Sequence, residues 1–164
     1  MKRITVITFG KLKVPGLSDC GTEYQKRISR YVDLTLIELK PVKILEKSEL
    51  LRQQVLAKEA ALILDSIQQC KSKGPIWVLD ETGTGMPTRD WATHFTKIEQ
   101  NFSGELICVI GGSLGLDESI LKISQKKISL GPQTFTHELA RIVLLEQLYR
   151  VLSLNAGHPY HNEG

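Results

Sequence analysis

CVIGGSLGLDESILKISQKKISLGPQTF, residues 108 to 135, contains two short apolar runs that each empty into a glycine-bearing loop, with a helix-length segment between them. Residues 106–110 read as a strand, 118–124 as a short helix with Asp117 at its N-cap, and 127–130 as the next strand. The same alternation continues outward: strands over 4–9, 34–39 and 76–79, helices over 18–31, 46–69 and 89–100, and a closing helix from Phe135 or Thr136 to Leu152. Strict alternation predicts an α/β fold, a mainly parallel sheet with helices on both faces. No repeat, low-complexity tract or linker interrupts residues 1–164, which read as a single domain large enough to bury a core without staples.

Composition narrows the function classes. With 41% hydrophobic and 24% charged residues, and no apolar run approaching bilayer thickness, the chain reads as soluble, cytosolic and not membrane-associated. Met1-Lys2-Arg3 leads directly into a strand pattern rather than a signal-peptide core. Cys20, Cys70 and Cys108 are odd in number and widely spaced, which suggests neither a disulfide framework nor a four-cysteine zinc site and casts them as small buried residues. The net charge of +3 is uneven: residues 1–47 carry +5 and the remainder −2. A basic N-terminal third suits phosphate contact, and it equally suits a solvated surface.

Three successive strands end in Gly- or Pro-bearing loops: WVLD into ETGTGMP, CVIGG into SLGLD, and ISLG into PQTF. Ligands of parallel sheets bind at the carboxyl ends of strands, where glycine lets backbone amides come close, so a small-molecule pocket is expected in the C-terminal half. A dinucleotide fold does not fit. Gly111-Gly112-Ser113-Leu114-Gly115 lacks the GxGxxG spacing, follows a late strand, and has no acidic residue about 20 positions on. No phosphate-loop motif is present either. The last helix is apolar around most of its circumference, through Leu139, Ile142, Val143, Leu144, Leu145, Leu148, Val151 and Leu152, which implies burial on more than one side and a two-fold partner. Glu146 and Arg150 have the spacing of a simple surface pair.

IGGSLGLDESI, then ISLGPQTFTHELARIVLLEQLYR, then the terminal HPYH, together with ITVITFGK and the helix bearing Thr22-Glu23-Tyr24, resemble the RlmH family of SPOUT-class methyltransferases. The resemblance implies a SPOUT-type α/β knot, with a deep trefoil knot in the C-terminal half, and a homodimer. Residues from about 75 to 164 would then form the cofactor site and the dimer interface. It also implies S-adenosylmethionine held by Leu79, Gly111, Gly112, Gly131, Pro132, Gln133, Thr134, Phe135 and Thr136. The family methylates N3 of a pseudouridine in helix 69 of 23S rRNA within the assembled 70S ribosome. The chain departs from the family pattern at Thr136, where a proline usually precedes the histidine, and at Leu114, where an acidic residue is frequent.

On this resemblance Arg150, His158, Tyr160 and His161 are the catalytic candidates. The tail, stiffened by Pro159, would reach over the partner's cofactor pocket, stack on the extruded base and accept its proton, with the identity of the base left open between the two histidines and solvent. His137 and Arg141 are the candidates for RNA contact. His158, His161 and Glu163 make a poor metal site, three ligands on a terminal tail without a fourth, so no metal is expected. A non-catalytic RNA- or ribosome-binding dimer of the same fold is the alternative.

Overall fold

The computed structural model describes residues 1–43, 48–70, 74–102 and 104–157. Its elements alternate as the sequence predicts: β1 (Arg3–Phe9), α1 (Pro15–Ile28), β2 (Asp33–Leu39), α2 (Glu49–Gln69), β3 (Ile76–Gly85), α3 (Thr88–Asn101), β4 (Glu105–Ile110), α4 (Glu118–Ile123), β5 (Lys126–Ser129) and α5 (His137–Asn155). All strand pairs are parallel, in the order β2-β1-β4-β3-β5.

Strand periodicity divides the core between the two faces of the sheet. Ile4, Val6, Leu106, Cys108, Ile110 and Trp77 pack with Ile28 of α1, Trp91 and Phe95 of α3, and Leu144 and Leu148 of α5. Ile7, Phe9, Ile107, Val109 and Val78 pack on the opposite side with Ala60 and Ile63 of α2 and Ile120 of α4. Burial pushes the Cys108 thiol up to about 12, so it behaves as the small apolar residue expected of it. Cys20 and Cys70 are only half-buried.

Boundaries shift where local chemistry was under-read. Pro15 starts α1 earlier than expected, its ring preset for a first helical turn. The expected start of α2 at Glu46 lies outside the described residues, and the helix begins after Ser48, whose hydroxyl accepts from Leu51 N at 3.3 Å. β3 runs past Leu79 to Gly85: residues 80–83 loop out, and Thr84 and Gly85 then rejoin Ile128 and Ser129 of β5. Gly83 is required there, since a Cβ would fall 2.7 Å from the backbone of Lys127 and Ile128.

The apolar circumference of α5 has a different cause from the one the sequence suggested. α1 and α3 flank it while the sheet covers its inner side, so a single chain buries Leu144, Leu145, Leu148, Val151 and Leu152; Leu139 stays 38% exposed. Arg141, expected to contact RNA, is instead 4% exposed, and its Nη1 donates to Glu38 Oε1 at 2.7 Å. Glu38 follows Leu34 and Leu36 on the same face of β2, so the ion pair clamps α5 to the edge strand. Arg141→Ala strips a buried guanidinium from a carboxylate that itself reaches solvent, and an unfolding free energy lower by about 1–2 kcal/mol in urea denaturation is the expected result.

Candidate cofactor site

β3 and β4 lie side by side, yet the chain leaves β3 toward the face of α3 and leaves β4 toward the face of α4. A crevice opens where neighbouring strands send their chains to opposite faces. It is a cleft of about 770 Å³ at the carboxyl ends of β3, β4 and β5. Its walls include Leu79, Gly111, Gly112, Gly131, Gln133, Thr134, Phe135 and Thr136, so eight of the nine expected cofactor positions converge; Pro132 is exposed and does not line it.

Each loop is held by its own geometry. Gly115 N donates to Gly112 O at 3.1 Å, with Gly115 at φ +83°, which closes the second loop into a tight turn. A Cβ at Gly111 would lie 2.6 Å from the Gly115 carbonyl carbon and closer still to its oxygen, so only glycine permits that turn. In the third loop, the Ser129 hydroxyl donates to Gly131 O at 2.8 Å, and Gly131 adopts φ +146°. Thr134 Oγ1 reaches Glu81 Oε2 at 3.3 Å and ties this loop to the excursion of β3. The segment after β5 therefore crosses the ends of β3 and β4 to bring α5 up beside β1. There Glu138 Oε2 accepts from Lys13 N at 2.8 Å, and these amides hold its carboxyl below the usual carboxylate range.

Thr136 caps α5, its hydroxyl accepting from Leu139 N at 3.3 Å. Its φ of −63° is the angle a proline ring imposes, so the backbone shape is retained and a side-chain cap is added. His137, the first residue of α5, faces the cleft, as does Leu114. Arg150 does not: it stands thirteen residues further along the helix, about 20 Å away at 1.5 Å per residue, where it pairs with Glu146. His158, Tyr160 and His161 lie outside the described residues.

The N-terminal half contributes to the cleft in ways the sequence does not signal. Val14, Leu17 and Arg52 also line the cleft, and Glu59 of α2 is 5% exposed directly behind Gly112. No local signal marked Arg52 or Glu59, because α2 reaches the cleft only through the tertiary fold. Burial pushes the Glu59 carboxyl above its usual 4.5, partly offset by the bond from Val42 N. Folding thus favours the protonated acid. The associated stability is complete below the usual value and lost as pH rises through the raised one. The melting temperature of the native protein should therefore fall relative to Glu59→Gln as pH is raised from about 4.5, as read by paired thermal melts.

Among the described residues no His, Cys, Asp and Glu cluster could hold a metal, and no helix is long and apolar enough to cross a membrane.

A glycine-lined cleft at the switch point of a parallel sheet, crossed by its own C-terminal segment, defines a class of small-molecule-binding α/β domain. Residues 1–161 match the family model described as "Predicted SPOUT methyltransferase". The chain is 39% identical to the ribosomal RNA large subunit methyltransferase H of Leuconostoc citreum, over 96% of this chain and 98% of the relative. It is 37% identical to the protein of that name from Bifidobacterium adolescentis, over 97% and 99%, and 36% identical to that of Clostridium acetobutylicum, over 96% and 98%. The chain belongs to the RlmH family of SPOUT methyltransferases.

Proposed function

We propose that this protein is a cytoplasmic homodimer that transfers a methyl group from S-adenosylmethionine to N3 of a pseudouridine in helix 69 of 23S rRNA on the assembled 70S ribosome. The observation that carries the reading is the convergence of three strand-end loops, Leu79–Thr82, Ile110–Leu116 and Ile128–Thr136, on one cleft in a chain of this family. The relatives' printed names, which specify large-subunit ribosomal RNA, support the substrate class. The family's trefoil knot would fall where the segment after β5 crosses the other two loops.

The residues present fit such a cofactor. Leu79, Ile110 and Leu130 offer apolar walls, while Gly111, Gly112 and Gly131 expose backbone groups, in a cleft of suitable volume. The cofactor supplies, when bound, an electrophilic methyl group. The protein must do the rest: remove the N3 proton, which is present at neutral pH, and hold the ring in line. His158, Tyr160 and His161 are proposed for stacking and proton acceptance, with stacking worth about 1–3 kcal/mol. Arg150 is proposed to stabilise the anionic ring or hold phosphate, and His137 to contact RNA from the mouth of the cleft.

Arg150 stands about 20 Å from the cleft of its own chain, so this reading needs a second subunit that brings its α5 terminus and tail to the first subunit's loops. Calorimetry with S-adenosylmethionine should show one saturable site per chain. Absence of binding would turn the assignment toward a non-catalytic ribosome-binding dimer.

A further inference from the structure

We propose that Glu59 is a positioning residue for the cofactor site: its carboxyl forms the wall that shapes the Gly111–Gly112 turn and links that turn to the segment leaving β2. The inference rests on the cofactor reading above and extends it to a residue of α2 that does not itself line the cleft.

Three observations converge. Glu59 is 5% exposed, an uncommon setting for a carboxyl group, and among the described residues no cation is hydrogen-bonded to it. One oxygen, Oε1, accepts from Val42 N at 3.2 Å, just beyond the end of β2, while the other, Oε2, is fully buried and has no hydrogen-bond partner among the described residues. Both oxygens press on Gly112: a Cβ there would fall 2.5 Å from Oε2 and 3.0 Å from Oε1.

A buried oxygen without a partner costs stability, and an apolar side chain would fill the same volume without that cost. The carboxyl is thus poorly explained as core filling. It is better explained as a spacer with a polar anchor. The Val42 amide fixes the head group, so a side chain at position 112 fits only if that buried carboxyl leaves its anchor. Gly112 is not among the residues with positive φ, so its backbone angles do not exclude a side chain; what an added Cβ meets there is the anchored Glu59 carboxyl. Gly111 differs, being blocked by the backbone of its own turn. Gly112 and Glu59 are therefore a matched pair, one absent Cβ facing one carboxyl, with the cleft on the other side of the glycine.

A double-mutant cycle tests this, with S-adenosylmethionine affinity read by calorimetry and folding read separately by thermal melts. Gly112→Ala should weaken binding at least tenfold and Glu59→Ala about fivefold, while Glu59→Gln, which keeps the volume and the acceptor for Val42, should stay within about threefold of the native protein. The double variant Gly112→Ala/Glu59→Ala should bind more tightly than Gly112→Ala alone, because the obstructing carboxyl is gone. Where Glu59→Ala does not fold, Glu59→Asp, shorter by one methylene, takes its place in the same cycle. Additive losses in the double variant, or native affinity in Glu59→Ala, would overturn the proposal. Failure of the native protein to bind the cofactor would instead overturn the cofactor reading on which the proposal rests.

Discussion

Gly111→Ala should lower methyl transfer by about 100-fold or more and abolish measurable cofactor binding, while the protein remains folded. The added Cβ meets backbone of the same turn, the Gly115 carbonyl, with the Leu116 Cγ at 3.0 Å behind it. Backbone cannot rotate away as a side chain can, so the turn between β4 and α4 must open. A displacement of about 1 Å in a group that positions a reactant is enough for a loss of this order. Gly16→Ala is the control, because nothing stands within 4 Å of its added Cβ, and both cofactor affinity and transfer should match the native protein. Calorimetry and a transfer assay on the two variants check the expectation together.

Removing residues 158–164 should abolish transfer and leave S-adenosylmethionine affinity within about threefold of native. α5 begins at the cleft with His137 and ends at Asn155, whose side-chain amide donates to Ala92 O of α3 at 3.3 Å, so the chain leaves the helix at the end remote from the cleft. A tail that acts on chemistry must then act in the other subunit. This yields a sharper form of the test. Heterodimers of the truncated chain with Gly111→Ala contain one complete site, built from the loops of the first and the tail of the second. Random pairing makes half of all dimers mixed, each with one working site of two, so about a quarter of native activity should return. Purified mixed dimers without activity would refute a site shared between chains, and loss of cofactor binding on truncation would refute the division of labour.

The sequence revealed the fold through its periodicities because the central strands β1 and β4 are short, apolar and buried on both faces, and strands alternate with helical segments along the whole chain. The cleft at the ends of β3, β4 and β5 was legible for a related reason: parallel topology puts successive strand ends together, so Gly- or Pro-bearing loops after three strands mark one place. What stayed hidden depends on contacts between distant segments. Arg141 looked like a polar exception on an apolar helix, and only the fold places Glu38 against it. Arg3 looked like part of a basic surface, whereas its pairing register sets it between Asp33 and Glu105, and its guanidinium bonds to both. Glu59 sits in a helix whose pattern gives no sign that one of its turns backs the glycine loop after β4. A knot has no compositional signature, since threading leaves the pattern of strands and helices unchanged.

The assignment as a whole stands on one reaction. Labelled S-adenosylmethionine, incubated with the protein and 70S ribosomes that lack the modification, should transfer its methyl group to the helix 69 fragment of 23S rRNA, and mass spectrometry should identify the product as 3-methylpseudouridine. Label on another nucleotide, or none at all despite measured cofactor binding, would contradict the account.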